Sequence, residues 1–287
     1  MAARRWLCAG VLGFVSQLLL SSHALAGCGD EPQACETSLG TYHAALPALL
    51  DEAPVLVFLH GYGSSGGNAI ALNRMVQPAL DRGYAVLAPD GLTRSTDGTG
   101  PASWNFFPGW PGRDEVSFLT DVVQDAAKRF GVDPETVLLA GFSAGGFMVN
   151  YLACSTPEAF NAYAPVAGGF WRPHPEVCAG PVRLFHTHGW ADSTVPLEGR
   201  LLGGGRFQQG DIFAGLEIWR AANACADEKP SGYSETEPFL RRLWEDCAPG
   251  SALEMALFPG GHTVPEGWVD MALDWFEGPG AGQSDLE

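Results

Sequence analysis

Lysine is almost missing from this chain. Of its 16 basic residues only Lys128 and Lys229 are lysine, set against 33 acidic residues and a formal charge of -17. So acidic a surface repels phosphate backbones, which excludes nucleic acid as an expected partner. Beyond the N-terminus no run is long and apolar enough to cross a bilayer, so no transmembrane segment is expected in the mature chain. Internal repeats and interior linkers rich in Pro, Gly or Ser are also lacking. With 287 residues, 46% of them hydrophobic, the chain is expected to bury one substantial core.

The N-terminus has the grammar of an export signal. Arg4 and Arg5 precede a mostly apolar run from Trp6 to Leu20, and Ala24-Leu25-Ala26 offers small residues for cleavage. The expected organisation is a signal peptide over 1–26, a catalytic domain over 27–277 and a disordered tail over 278–287. Leu25-Ala26-Gly27-Cys28 also fits a lipoprotein signal, which would anchor the chain to a membrane through a lipid on Cys28. Six cysteines remain after Cys8, enough to pair completely in an extracellular or periplasmic compartment. Three local bridges are expected: Cys28–Cys35, Cys154–Cys178 and Cys225–Cys247. Other connectivities, and lipidation of Cys28, stay open.

Apolar runs suited to strands alternate with helical patterns. Strand-like runs cover Val55 to His60, Tyr84 to Ala88, Val137 to Ala140, Val182 to His186 and Leu253 to Phe258. Helices are expected over Asn68 to Asp81, Glu115 to Phe130, Gly145 to Ala153 and Glu266 to Phe276. In the second of these Val116, Leu119, Val122, Val123 and Ala126 share a face. The alternation implies an α/β fold, a mainly parallel central sheet with helices on both faces. In such sheets the chemistry sits just beyond the carboxyl ends of the strands.

Gly141-Phe142-Ser143-Ala144-Gly145 matches G-x-S-x-G. In a chain with 37 glycines the pattern needs context. Here it joins a buried strand to a helix, the strand–turn–helix elbow that exposes a nucleophilic serine. A serine hydroxyl needs a base, and in this topology acid and histidine follow the serine in that order. His262, in Pro259-Gly260-Gly261-His262 just past a strand, is the expected base. Asp192, in His188-Gly189-Trp190-Ala191-Asp192, is the expected acid, with Asp211 in reserve. The oxyanion that forms on acyl transfer needs N–H donors. These are expected from Ala144 and from Tyr62 in the glycine-rich loop His60 to Gly67. That loop could also cradle phosphate, but no P-loop lysine follows it. His60 precedes the serine and is expected to make a structural hydrogen bond. His186 and His188 have no convincing third ligand nearby, so neither a metal nor a cofactor is expected.

In the order and spacing of several landmarks the sequence resembles the secreted polyhydroxybutyrate depolymerase-like esterases, which merge into feruloyl and acetyl-xylan esterases. The landmarks are Gly40-Thr41-Tyr42, Leu59-His60-Gly61, Trp104-Asn105 and Asp114 to Leu119. The elbow, His188-Gly189 to Asp192 with Val195-Pro196, and Gly260-Gly261-His262-Thr263 follow. The likeness runs from about Gly40 to Phe276. It implies an α/β-hydrolase fold, the triad Ser143, Asp192 and His262, and an ester substrate. It also implies that Trp104 borders the substrate cleft and that Cys225 pairs with Cys247. Trp104, Asn105 and Trp190 are the expected substrate-binding residues. Asp114-Glu115 stands where members carry two aspartates and is expected to begin a helix. Ala144 replaces the usual Asn or His. The stretch Gly91 to Arg113, with Trp104, Phe106, Phe107 and Trp110, is long enough to be a lid or binding loop. A feruloyl or acetyl-xylan esterase is the near alternative to a hydroxyalkanoate depolymerase. A peptidase, an acyltransferase or a catalytically dead binding protein of the same fold are the distant ones.

Overall fold

A computed structural model describes residues 27–93, 99–226 and 229–278. The expected signal peptide over 1–26, and the expected tail beyond Gly278, lie outside the described residues. In chain order the strands are β1 (Cys35–Glu36), β2 (Thr41–Ala45), β3 (Val55–Leu59), β4 (Ala85–Pro89), β5 (Leu92–Thr93), β6 (Ala102–Ser103) and β7 (Val137–Phe142). They continue with β8 (Ala162–Val166), β9 (Arg183–Gly189), β10 (Leu201–Leu202), β11 (Phe207–Gln208), β12 (Gly232–Thr236), β13 (Phe239–Trp244) and β14 (Ala252–Phe258). The α-helices are α1 (Gly66–Ile70), α2 (Asn73–Asp81), α3 (Glu115–Phe130), α4 (Ala144–Ser155), α5 (Ile212–Ala222) and α6 (Trp268–Glu277).

One sheet runs β1-β2-β4-β3-β7-β8-β9-β14-β13-β12. Its centre, β4 through β14, is parallel, and both edges are antiparallel. Strand side chains alternate between two buried layers, as the two-residue period requires. In β3, Val55, Val57 and Leu59 enter the layer shared with α3, α4 and α5. Leu56 and Phe58 enter the layer shared with α1, α2 and α6.

Helix α3 has the expected bounds because its ends are written locally. Asp114 accepts from the Ser117 N–H at the start, and Gly131 closes it in the left-handed region at φ 73°. Asp114 is thus a helix start, as expected. The single helix expected over Asn68 to Asp81 is instead two. The chain turns at Leu72, with ψ 79°, so that α1 lies on β4 and α2 on α6. Strand β8 was not anticipated. Its Ala-Tyr-Ala-Pro-Val lacks a β-branched run, and Pro165 argues against a central strand. Neighbouring β7 and β9 hold it in place, and its pairing to β9 is broken between Tyr163↔Leu184 and Val166↔Thr187. The outer strands β12 and β13, and helix α5, were also unforeseen.

All three expected disulfides are present: Cys28–Cys35, Cys154–Cys178 and Cys225–Cys247.

Candidate active site

Ser143 follows β7 with φ 56° and ψ -113°, a strained conformation that lifts it off the sheet before α4 begins. The turn closes only because its glycines lack side chains. A Cβ on Gly145 would stand 2.1 Å from the Leu59 carbonyl oxygen, and one on Gly141 would stand 2.6 Å from the Gly145 backbone. The Ser143 N–H donates to the Val166 carbonyl, which ties the elbow to β8.

Asp192 and His262 follow neighbouring parallel strands, β9 and β14. The two loops are laced together: Trp190 N–H donates to the Phe258 carbonyl and Ala191 N–H to that of Gly260. A Cβ on Gly189 would strike Gly261 O at 2.4 Å, so glycine lets the loops approach. The structure brings all three predicted residues together. His262 Nε2 lies 2.9 Å from Ser143 Oγ, and His262 Nδ1 lies 2.7 Å from Asp192 Oδ2. Phe142 braces the imidazole, with ring centroids 4.7 Å apart.

The carboxylate of Asp192 has no side-chain exposure. Its Oδ1 accepts from the Thr194 and Val195 N–H groups, both at 2.8 Å, which leaves Oδ2 for His262. A carboxylate so held favours the tautomer with the proton on Nδ1 and a bare Nε2 facing the serine. Beneath it, His188 Nε2–H donates to the Val195 carbonyl at 2.8 Å, and its Nδ1 accepts from His186 at 3.1 Å. Burial holds both imidazoles below the usual histidine range, His186 well below it. Asp211, the reserve acid, caps α5 by accepting from the Ala214 N–H.

The loop after β3 carries Tyr62, exposed at the rim of the same cleft as Ser143 and Ala144. Among the described residues the Tyr62 and Ala144 N–H groups donate to no other part of the protein. His60 is structural, as expected: Nδ1–H donates to Gly61 O and Nε2 accepts from the Gly91 N–H.

The cleft holds about 660 Å³. Its walls are Phe106 and Trp110 from the long loop, Phe147 from α4, Trp171 after β8, and Phe207 from β11. These rings pack on one another: Phe106 stacks on Phe147 at 5.5 Å and meets Trp171 edge-on at 5.2 Å.

The three residues expected to bind substrate do not line this cleft. Trp104 is only 1% exposed, and its Nε1–H donates to the His60 carbonyl at 2.8 Å. It braces the Tyr62 loop from below instead of bordering the cleft. Asn105 is tied down beside it, its N–H donating to Glu115 Oε1 and its amide to the Arg113 carbonyl. Glu115 in turn holds Arg113 in a buried ion pair, and burial shifts each toward its neutral form. Trp190 is 67% exposed but faces a separate groove with Tyr233 and Leu240. An aromatic in a loop reads alike in sequence whether it faces cleft, core or solvent. Phe147, Trp171 and Phe207 carried no local signal, since three distant segments bring them together.

The fold is the α/β-hydrolase fold. Residues 71–170 match the prolyl oligopeptidase family model. Feruloyl esterase B of Piromyces equi is 26% identical over 231 residues, 75% of this chain and 40% of that protein. Poly(3-hydroxyalkanoate) depolymerase C of Paucimonas lemoignei is 26% identical over 225 residues, 74% of this chain and 50% of that protein. The resemblance read from the sequence landmarks therefore holds, although the chain spans half or less of the length of these relatives. Among solved structures, an acetyl xylan esterase from Aspergillus awamori superposes with TM-score 0.59 at 16% identity, covering 82% of this chain and 93% of that one. At that identity the likeness is one of fold.

Proposed function

We propose that this chain is a serine carboxylic-ester hydrolase acting through an acyl-enzyme. The observation that carries the reading is the hydrogen-bonded series Ser143–His262–Asp192 opening into an aromatic cleft. Ser143 Oγ attacks the ester carbonyl and its proton passes to His262 Nε2. Negative charge on the carbonyl oxygen is met by the N–H groups of Tyr62 and Ala144. The tetrahedral intermediate then expels the alcohol, which takes the proton from His262. Water attacks the acyl-serine, again giving a proton to His262, and the acid leaves as that proton returns to Ser143. Asp192 holds the imidazole and stabilises its positive charge in both halves.

The aromatic walls favour an apolar or flat acyl group. The named relatives support hydroxyalkanoate oligomers or polymers, feruloyl esters and acetylated xylan as the substrates to compare. The match to the prolyl oligopeptidase family gives a peptidase reading some footing. Export is part of the proposal. The leader-like N-terminus and three disulfides support an oxidising compartment, and the pairing of Cys28 with Cys35 favours export without a lipid on Cys28.

The test is purified mature protein and Ser143→Ala against p-nitrophenyl butyrate, a hydroxybutyrate oligomer, methyl ferulate and a peptide anilide. Wild-type turnover of esters over the anilide, lost in the variant, is expected. Full esterase activity in a folded Ser143→Ala protein would overturn the proposal.

A further inference from the structure

The aromatic cleft has one corner of a different kind. Its described lining includes no aspartate or glutamate, in a chain where acids outnumber bases 33 to 16. The lining does include Arg200 and the amide of Gln209. The two residues flank the open end of the β10–β11 hairpin, whose Leu202 and Phe207 also reach the cleft. The Gln209 N–H donates to the Arg200 carbonyl at 2.8 Å, and Gln209 bridges to Trp171 on its other side. Gln209 is buried, so this corner is built on paired backbone.

Side-chain chemistry gives the corner a direction. Arg200 Nε–H donates to Gln209 Oε1 at 3.3 Å. Since that bond needs the amide oxygen, the Gln209 NH2 group is left on the other side. Among the described residues neither that NH2 nor the two terminal nitrogens of Arg200 donate to any protein group, and no carboxylate pairs with the guanidinium. The corner is therefore rich in donors and positively charged, and its amide oxygen is already engaged by Arg200. A carboxylate is its complement: two acceptor oxygens and one negative charge, matched to the planar guanidinium fork.

We infer that Arg200 and Gln209 form a carboxylate subsite, so that the preferred esters carry a free carboxylate within reach of the cleft. This rests on the ester-hydrolase reading above. Two substrate sources share that chemistry: half-esters of dicarboxylic acids, and short hydroxy-acid oligoesters with an unblocked acid end.

The experiment compares matched ester pairs with wild type, Arg200→Met, Arg200→Lys and Gln209→Leu. One pair is a p-nitrophenyl half-ester of a dicarboxylic acid and its methyl-blocked form. The other is a hydroxybutyrate trimer with free or methylated acid end. The readout is the ratio of kcat/KM for the free acid over its blocked partner. In wild type it is expected to favour the free acid about tenfold in at least one pair, chiefly through KM. Which pair responds identifies the source. Arg200→Met brings the ratio to about one or below, Arg200→Lys restores part of it, and added salt weakens it in wild type. A wild-type ratio of one in both pairs overturns the proposal, as does a preference that survives in both Arg200→Met and Gln209→Leu. Failure of the underlying reading looks different: no ester of either kind is cleaved, and Ser143 does not react with a fluorophosphonate probe.

Discussion

Replacing Asp192 by Asn separates what the carboxylate does for the fold from what it does for His262. Oδ1 holds the Thr194 and Val195 N–H groups, and an amide oxygen can do the same. The other half of an amide, an NH2, then faces His262 Nδ1 where Oδ2 stood at 2.7 Å. Two donors cannot share that contact, so the imidazole must place its proton on Nε2, facing Ser143. It can no longer accept the serine proton. Because the side chain is fully buried, water does not rescue the arrangement. The expected loss in kcat is about 10⁴-fold, or about 5 kcal/mol in the barrier. Stability should change little. Asp192→Ala, by contrast, strands two N–H groups and should also cost about 1–3 kcal/mol of stability for each left buried. The assay is p-nitrophenyl butyrate hydrolysis, with thermal melts of both variants. If Asp192→Asn melts like wild type yet keeps more than about a tenth of kcat, the tautomer argument is wrong.

Other outcomes follow from the same geometry. Gly145→Ala should fail to give folded protein or melt far below wild type, because its Cβ meets the Leu59 carbonyl at 2.1 Å; Gly232→Ala, with nothing within 4 Å, should melt like wild type. Trp104→Ala should cost about 3–5 kcal/mol of stability in denaturant titrations, whereas exposed Trp190→Ala should shift it by less than about 0.5 kcal/mol. Trp171→Ala should lower kcat/KM for bulky acyl esters more than for acetate esters, measured on a chain-length series. For pH, burial holds His186 and His188 below the ordinary histidine value, so below about pH 6.5 the unfolded chain takes up protons that the folded one refuses. Stability from these groups is complete above that pH and is lost as pH falls toward their folded values. His186→Gln should therefore flatten the fall in Tm on acidification. The comparison isolates the histidine contribution, since Glu115 and Glu254, raised by burial, act in the opposite sense.

What could be read along the chain was what is written locally. Ser143 was legible because an elbow needs strand, glycines and helix within a few residues. Asp192 and His262 were legible because loops after strands must carry the chemistry of an α/β sheet, and chain order left few candidates. The disulfides were legible because each joins near neighbours in sequence. Helix α3 was legible through its caps at Asp114 and Gly131. Strand β8 was not, since pairing on both sides overrides the weak strand signal of Ala162–Val166. The cleft was legible least of all. Its walls come from Phe106, Phe147, Trp171 and Phe207, which share a surface only after the sheet has stacked α4 and the later loops above Ser143. Trp104 shows the reason most plainly. Its apolar ring is satisfied equally by a cleft or by a core, and only the neighbours brought by folding, the His60 carbonyl among them, put it beneath the site.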